Sequence, residues 1–271
     1  MIGIEREEMN ASIQKNRRQV LYRAIHESMG DRLSEEELDI HFTHMPDRYW
    51  PRATEESVTE HLLLIRQFFA HLNTSHAEAT TPVVAWRQIP KRNVTEVTIC
   101  SWDRLGLLAH VAGAFAAANL NILRADVYTR VDSLALDVFE ITDAAGNFIA
   151  DEAQLHTMTA LLSTALRPNA KAPKVPFKSG HARSSQPPKV YYDAEPTFTQ
   201  TVIVIEADDQ VGLLYRVFSV LADCRINVSQ AIITTESGRV GDVFYVTDDN
   251  GRPITDTFHL DHIREGLLAA V

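Results

Sequence analysis

Hydrophobic and polar positions change period along this chain in an order that occurs twice. The stretches VTEVTIC (94–100) and TVIVIEA (201–207) are short and β-branched, as strands are. Each leads into an acid–x–x–Gly corner. Apolar residues then recur at helical spacing: Leu107, Leu108, Val111 and Phe115 in one place, Leu213, Leu214, Val217 and Leu221 in the other. NILRADVYTR (121–130) and NVSQAIITTE (227–236) read as second strands, with turns at 131–133 and 237–238. ALDVFEIT (135–142) and VGDVFYVT (240–247) read as third strands, closed by turns at 145–146 and 250–251. Final helices are predicted over about 151–166 and 255–269.

The two strings are one string repeated. A shift of 106 residues places Pro82 on Pro188, Asp103 on Asp209, Gly106 on Gly212, Asn121 on Asn227 and Thr129 on Thr235. After a one-residue slip, DVFEITDAAG (137–146) falls on DVFYVTDDNG (242–251), so the chain carries an internal duplication. The expected fold class is α+β: two ferredoxin-like units, each an antiparallel sheet with two helices on one face. Such a βαββαβ unit needs a fourth strand after its last helix, and the second copy stops at Val271. The upstream stretches PVVAWRQI (82–89) and PKVYYDAE (188–195) are expected to hairpin with the strands that follow and fill that edge. The alternative is a linker that pairs with nothing.

Residues 1–78 differ in kind. Ser34 and Glu37 form a capping box, and Thr54 is placed to cap a helix with Val58, Leu62, Ile65, Phe69 and Leu72 on one face. A long helix before Gly30 carries Val20, Leu21, Ala24 and Ile25. The expected division is a helical extension (1–78), a first unit (79–170), a Pro/Ser/basic connector (171–187) and a second unit (188–271). The connector reads as a solubilising spacer or a docking strap.

Composition narrows the function classes. With 26 Lys and Arg against 36 Asp and Glu, the formal charge of −10 argues against nucleic acid or anionic membrane as a partner. No apolar run approaches the length of a membrane helix, and Cys100 and Cys224 read as buried free thiols. The cytoplasm is the expected compartment.

Candidate chemistry lies at the corners. A glycine there permits an unusual backbone angle or a ligand's close approach, and the new helix presents unpaired N–H groups suited to a carboxylate. Asp103 and Asp209 either cap the helix or face a ligand ammonium. Asn121 and Asn227, opening the next strand, are expected at the same end of the sheet with donor and acceptor to offer. Together these groups suit a free α-amino acid. A plain cap, turn and leucine core is the competing reading.

These residues resemble the ACT domain, a βαββαβ module that binds amino acids and regulates metabolic enzymes. AIITTESGRVGDVFYVTDDNG (231–251) and HMPDRYWPRATEESVTEHLLLI (44–65) more narrowly resemble the regulatory region of the bacterial PII uridylyltransferase/uridylyl-removing enzyme family, from about residue 40 to 271. That resemblance implies glutamine as the favoured small-molecule ligand, nitrogen regulation, an unidentified protein partner and a possible homodimer. It implies a site at Asp103, Leu105, Gly106, Leu107, Leu108 and Asn121, with Asp209, Val211, Gly212, Leu213, Leu214 and Asn227. The family often has Pro before the glycine; Leu105 and Val211 stand there instead.

No Asp-x-Asp and no His-Asp dipeptide occurs, so neither the nucleotidyl-transfer nor the uridylyl-removing chemistry of that family is expected. The pairs His41/His44 and His259/His262 have suggestive spacing but no accompanying carboxylate pattern, and neither metal nor cofactor is expected. A non-catalytic regulatory role follows, with a catalytically silent interaction scaffold, or a fragment of a full PII uridylyltransferase, as the alternatives.

Overall fold

A computed structural model describes residues 2–30, 32–72, 81–167, 170–171, 175, 186–192, 199–210, 212–236 and 238–271. Most of the predicted connector and Val211 lie outside the described residues. The described part of the extension holds three α-helices, α1 (Ile2–Met29), α2 (Glu35–His44) and α3 (Glu55–Leu72), with a single 3-10 turn at Asp47–Tyr49. Ser34 and Glu37 make the reciprocal capping box of α2, and Thr54 Oγ1 accepts from the Ser57 N–H at the start of α3. Ile25 is fully buried, but Val20, placed on the same stripe by the sequence, is 60% exposed.

The first copy runs β1 (Val83–Ile89), β2 (Val94–Trp102), α4 (Leu107–Ala117), β3 (Asn121–Thr129), β4 (Leu134–Thr142) and α5 (Glu152–Ala165). The second runs β5 (Lys189–Tyr192), β6 (Thr201–Asp208), α6 (Leu213–Asp223), β7 (Asn227–Ile232), the short β8 (Thr235–Glu236), β9 (Arg239–Thr247) and α7 (Thr257–Ala270). β1 pairs antiparallel with β2, and β5 with β6, so the upstream strands do take the edge position. This is the α+β architecture of two antiparallel units joined in tandem.

The two sheets are one sheet, in the order β1-β2-β4-β3-β7-β9-β6-β5, with β8 paired to β9. The seam is short and antiparallel: Arg124 faces Ile232, Ala125 faces Ala231 and Asp126 faces Gln230. Ala125 and Ala231 are equivalent residues of the duplication, so the seam is a pseudo-twofold axis within one chain. This satisfies the exposed edges that β3 and β7 would otherwise present. Gln230 Nε2 donates to Asp126 Oδ1 at 2.7 Å, and Arg124 Nε donates to Asp126 Oδ2 at 2.7 Å.

Period-2 alternation sends each strand's residues to two faces. On one face Ala135, Phe139 and Ile141 join Leu107, Val111 and Phe115 of α4, and this core runs unbroken across the seam into Val217, Phe218 and Phe244. In the first copy Phe115 meets Phe139; in the second the matching ring comes from Phe218, one turn earlier in the helix than the duplication places it. On the opposite face Cys100, Tyr128, Leu134 and Leu136 pack against the extension's Ile25, Phe42, Trp50, Val58 and Phe68. The extension therefore docks on the back of the first sheet. Cys100 is a buried free thiol as expected, whereas Cys224 is only partly buried.

Candidate functional site

Both corners are glycine-initiated helices. Gly106 and Gly212 have φ of +79°, which an L side chain rarely adopts, and neither α4 nor α6 receives a side-chain cap. Asp103 and Asp209 therefore do not cap. The Asp103 carboxylate instead accepts from Thr129 Oγ1 at 3.0 Å. The first helical bonds run from the His110 N–H to the Gly106 carbonyl and from the Arg216 N–H to the Gly212 carbonyl. The preceding amides of Leu108 and Ala109, and of Leu214 and Tyr215, are the helix-start donors without an intrahelical partner. Leu107 and Leu213 are buried with their side chains in the core, Leu108 and Leu214 are half-buried, and Leu105 is exposed.

The asparagines are not where the sequence reading puts them. Asn121 pairs with Thr142, at the end of the sheet where β2 begins, while the Gly106 corner follows the other end of β2 beside Leu134. The cause is the crossover: α4 carries the chain back, so β3 runs in the same direction as β2 and starts far from its own corner. The antiparallel seam then reverses the relation between copies. Asn227 comes to the Gly106 corner and Asn121 to the Gly212 corner.

Two cavities result, one each side of the pseudo-twofold axis. The first, of about 530 Å³, is lined by Asp103, Leu105, Gly106, Leu107 and Leu108 together with Asn227 of the other copy. The second, of about 370 Å³, is lined by Asp209, Gly212, Leu213 and Leu214 together with Asn121. The corners thus line separate cavities and do not face each other. Both volumes fall in the range of small-molecule sites, roughly 300–1,000 Å³. Each asparagine donates to a loop carbonyl, Asn121 Nδ2 to Asp143 at 3.1 Å and Asn227 Nδ2 to Asp248 at 3.0 Å. That fixes the carboxamides and leaves their oxygens as acceptors.

The cavities are not identical. A Cβ added to Gly106 would meet nothing within 4 Å, whereas one added to Gly212 would lie 2.5 Å from Val175 Cγ1. The first cavity is also lined by residues 46–48 of the extension, where Arg48 Nε and Nη2 donate to the Val127 carbonyl at 3.3 and 3.0 Å. Val127 lies just past the seam, where β3 has left β7, and Arg48 occupies the unpaired edge. Gly106→Ala should cost about 1–2 kcal/mol, the penalty of the left-handed region for an L residue. Gly212→Ala should cost more, because Val175 must also move. Urea denaturation of the two variants checks the order.

Sequence reasoning missed one acid in each copy. Asp137 on β4 and Asp242 on β9 are both 1% exposed, and each lines its own copy's cavity. Among the described residues neither Asp137 oxygen has a hydrogen-bond partner, and Asp242 accepts one bond, from the Thr234 N–H to Oδ1 at 3.2 Å. Burial, reinforced by the Asp103 carboxylate, pushes Asp137 well above the usual carboxylate range. Burial, with a smaller contribution from Asp209, pushes Asp242 up to about 7. The signal was available: in ALDVFEIT, Asp137 is in phase with core-facing Ala135, Phe139 and Ile141, and the duplication repeats it. Arg48 carried no such signal.

Among the described residues no helix is long and apolar enough to cross a membrane, and no group of three or more His, Cys, Asp or Glu is arranged to hold a metal ion.

With this geometry in view, comparison with known proteins is informative. Residues 94–153 match the ACT domain, and residues 197–270 match the domain described as the ACR family N-terminal ACT domain. The chain is a tandem ACT-domain protein. It resembles the C-terminal regulatory region of the bifunctional uridylyltransferase/uridylyl-removing enzyme. It is 32% identical to that enzyme of Rhodospirillum rubrum over 242 residues, 86% of this chain and 24% of the relative. It is 36% identical to that of Gluconobacter oxydans over 190 residues (68% and 20%), and 37% identical to that of Azospirillum brasilense over 187 residues (66% and 20%). The chain thus spans about a fifth to a quarter of the length of these relatives.

Proposed function

We propose that this protein is an amino-acid-sensing regulator, with glutamine the favoured ligand, that acts on a partner protein in nitrogen control and has no catalytic step of its own. The observation that carries this reading is the crossed pairing. A glycine corner with uncapped amides from one copy and the second-strand asparagine of the other share each cavity. Helix-start amides suit the ligand's carboxylate, while the asparagine oxygen and the corner acid suit its ammonium. The likeness to the uridylyltransferase's regulatory region supports glutamine and the nitrogen context.

Because each site needs both copies, an occupied cavity favours the arrangement in which they are closed together. The shift is limited by the ligand's preference for that arrangement, typically about 1–3 kcal/mol. The first cavity also touches residues 46–48, so a ligand there is felt by the helical extension, the part offered to a partner or to a second copy of the chain.

Isothermal titration with each of the twenty amino acids tests the reading. Glutamine should give heat, and Asn227→Ala should weaken the Gly106 site by about 10-fold, the loss of one hydrogen bond to a charged group, while Asn121→Ala acts on the Gly212 site. Silence across all twenty would favour a dimerisation scaffold instead.

A further inference from the structure

The Asp137/Asp242 pair is a chemical feature that a packing role does not explain. A carboxyl placed on the core-facing side of a central strand loses its hydration, and an unpaired one is strongly disfavoured. Here it happens twice, at equivalent positions of a duplicated fold, and both times the side chain lines a cavity. Among the described residues, both Asp137 oxygens and Asp242 Oδ2 lack a hydrogen-bond partner. In both cavities a second acid, Asp103 or Asp209, stands close enough to raise the buried one's affinity for a proton. The first cavity is lined by Asp47, Asp103 and Asp137 with Arg48 and Arg104, the second by Asp209 and Asp242 with no Lys or Arg among the described residues. Each also holds helix-start amides, and among the described residues Arg48 is the cation facing Asp137 while none faces Asp242.

We propose that Asp137 and Asp242 receive the ligand's ammonium group, so that both cavities select a carboxylate bearing a neighbouring amine and reject the same carboxylate without it. This inference rests on the amino-acid reading of the cavities and names the group that sets their ligand class. A –NH3+ presents donors to the oxygens that lack them, and its charge supports a carboxylate that burial disfavours.

The proton balance follows. The buried acid holds its proton in the empty cavity; as the zwitterion enters, that proton leaves to solvent and the carboxylate pairs with the ammonium. Affinity then rises with pH until the empty-site acid ionises unaided, near 7 for Asp242. The groups facing Asp137 are Asp103 of the corner, Arg48 of the extension and the Tyr128 amide of β3; those facing Asp242 are Asp209 and the Thr234 amide.

The test is calorimetry on the full chain with glutamine, the other amino acids, and glutaramate, which is glutamine without its amine. Titrations run in phosphate and in Tris, whose different ionisation heats reveal proton release. Wild type should bind with release of protons, and glutaramate should not bind. Asp137→Asn should weaken the Gly106 site and Asp242→Asn the Gly212 site, each by about 10- to 100-fold, the loss of a charge-assisted bond. The double variant should lose both sites and the proton release while keeping its circular dichroism spectrum and melting no lower than wild type. A purely structural role would lower the melting point instead. Unchanged affinity in the Asn variants, equal binding of glutaramate, or no proton release overturns the inference while leaving the amino-acid sites standing. If wild type is silent with all twenty amino acids, the reading beneath it fails and the inference falls with it.

Discussion

Ala231→Asp is expected to cost the protein about 3–5 kcal/mol, the loss typical of an uncompensated buried charge. Ala231 and its twin Ala125 face each other at the centre of the seam, both fully buried, on the side covered by α4 and α6. A carboxylate there cannot borrow the seam's polar groups. Arg124, Asp126 and Gln230 alternate to the other face of the sheet and already bind one another. Ala231→Leu separates charge from bulk: overpacking alone should cost about 1–3 kcal/mol. The seam also builds both cavities, so ligand binding should disappear at both sites in the Asp variant even under conditions where it stays folded. Urea denaturation and titration of the same preparations check this. A loss below about 1 kcal/mol would mean that β3 and β7 are not joined as described.

Much of the fold was legible because its signals are local or repeated. The capping box at Ser34, the cap at Thr54, the helix-period leucines after each glycine and the β-branched strands all express short-range preferences. The duplication supplied the long-range information that one copy alone would lack, including the edge role of β1 and β5. Val20 failed for another reason: α1 docks along Arg18, Leu21, Ile25 and Met29, a stripe from which Val20 is turned away, and Arg18 one turn earlier still stacks on Trp50.

The site was legible in its parts and not in its assembly. The corner glycines and asparagines are named by the repeat, yet their pairing depends on strand direction. The helix between β2 and β3 makes those strands co-directional, so each asparagine lies at the far end from its own corner. Only the antiparallel seam, centred on the equivalent residues Ala125 and Ala231, brings each asparagine to the other copy's corner. The buried acids were overlooked for the opposite reason. Asp137 and Asp242 sit within strands of clear alternation, where a polar residue at a core-facing position is easily read as noise. Its recurrence at the equivalent position is what marks it as chemistry.

Asp242→Asn is expected to reshape the dependence of stability on pH. Burial raises the folded-state pKa of Asp242 to about 7, against about 3.9 for an unfolded aspartate. Between those values the folded chain holds a proton that the unfolded chain has released. Stability therefore falls as pH rises, by about 1.4 kcal/mol per unit and by about 4 kcal/mol across the window, and levels off above it. Asn keeps an acceptor for the Thr234 N–H and has no proton to lose. The stability of the variant relative to wild type should thus grow by about 4 kcal/mol between about pH 4 and pH 8. Groups with the opposite sign, such as Glu37, held near 2 chiefly by its hydrogen bonds with Arg66, are common to both proteins and cancel in the difference. Asp137 is perturbed in the same direction, so the double Asn variant should show a larger gain. Urea denaturation at several pH values measures the difference directly. A constant offset would mean that the Asp242 carboxyl finds water or a cation in solution, and a ligand ammonium would then gain nothing by meeting it.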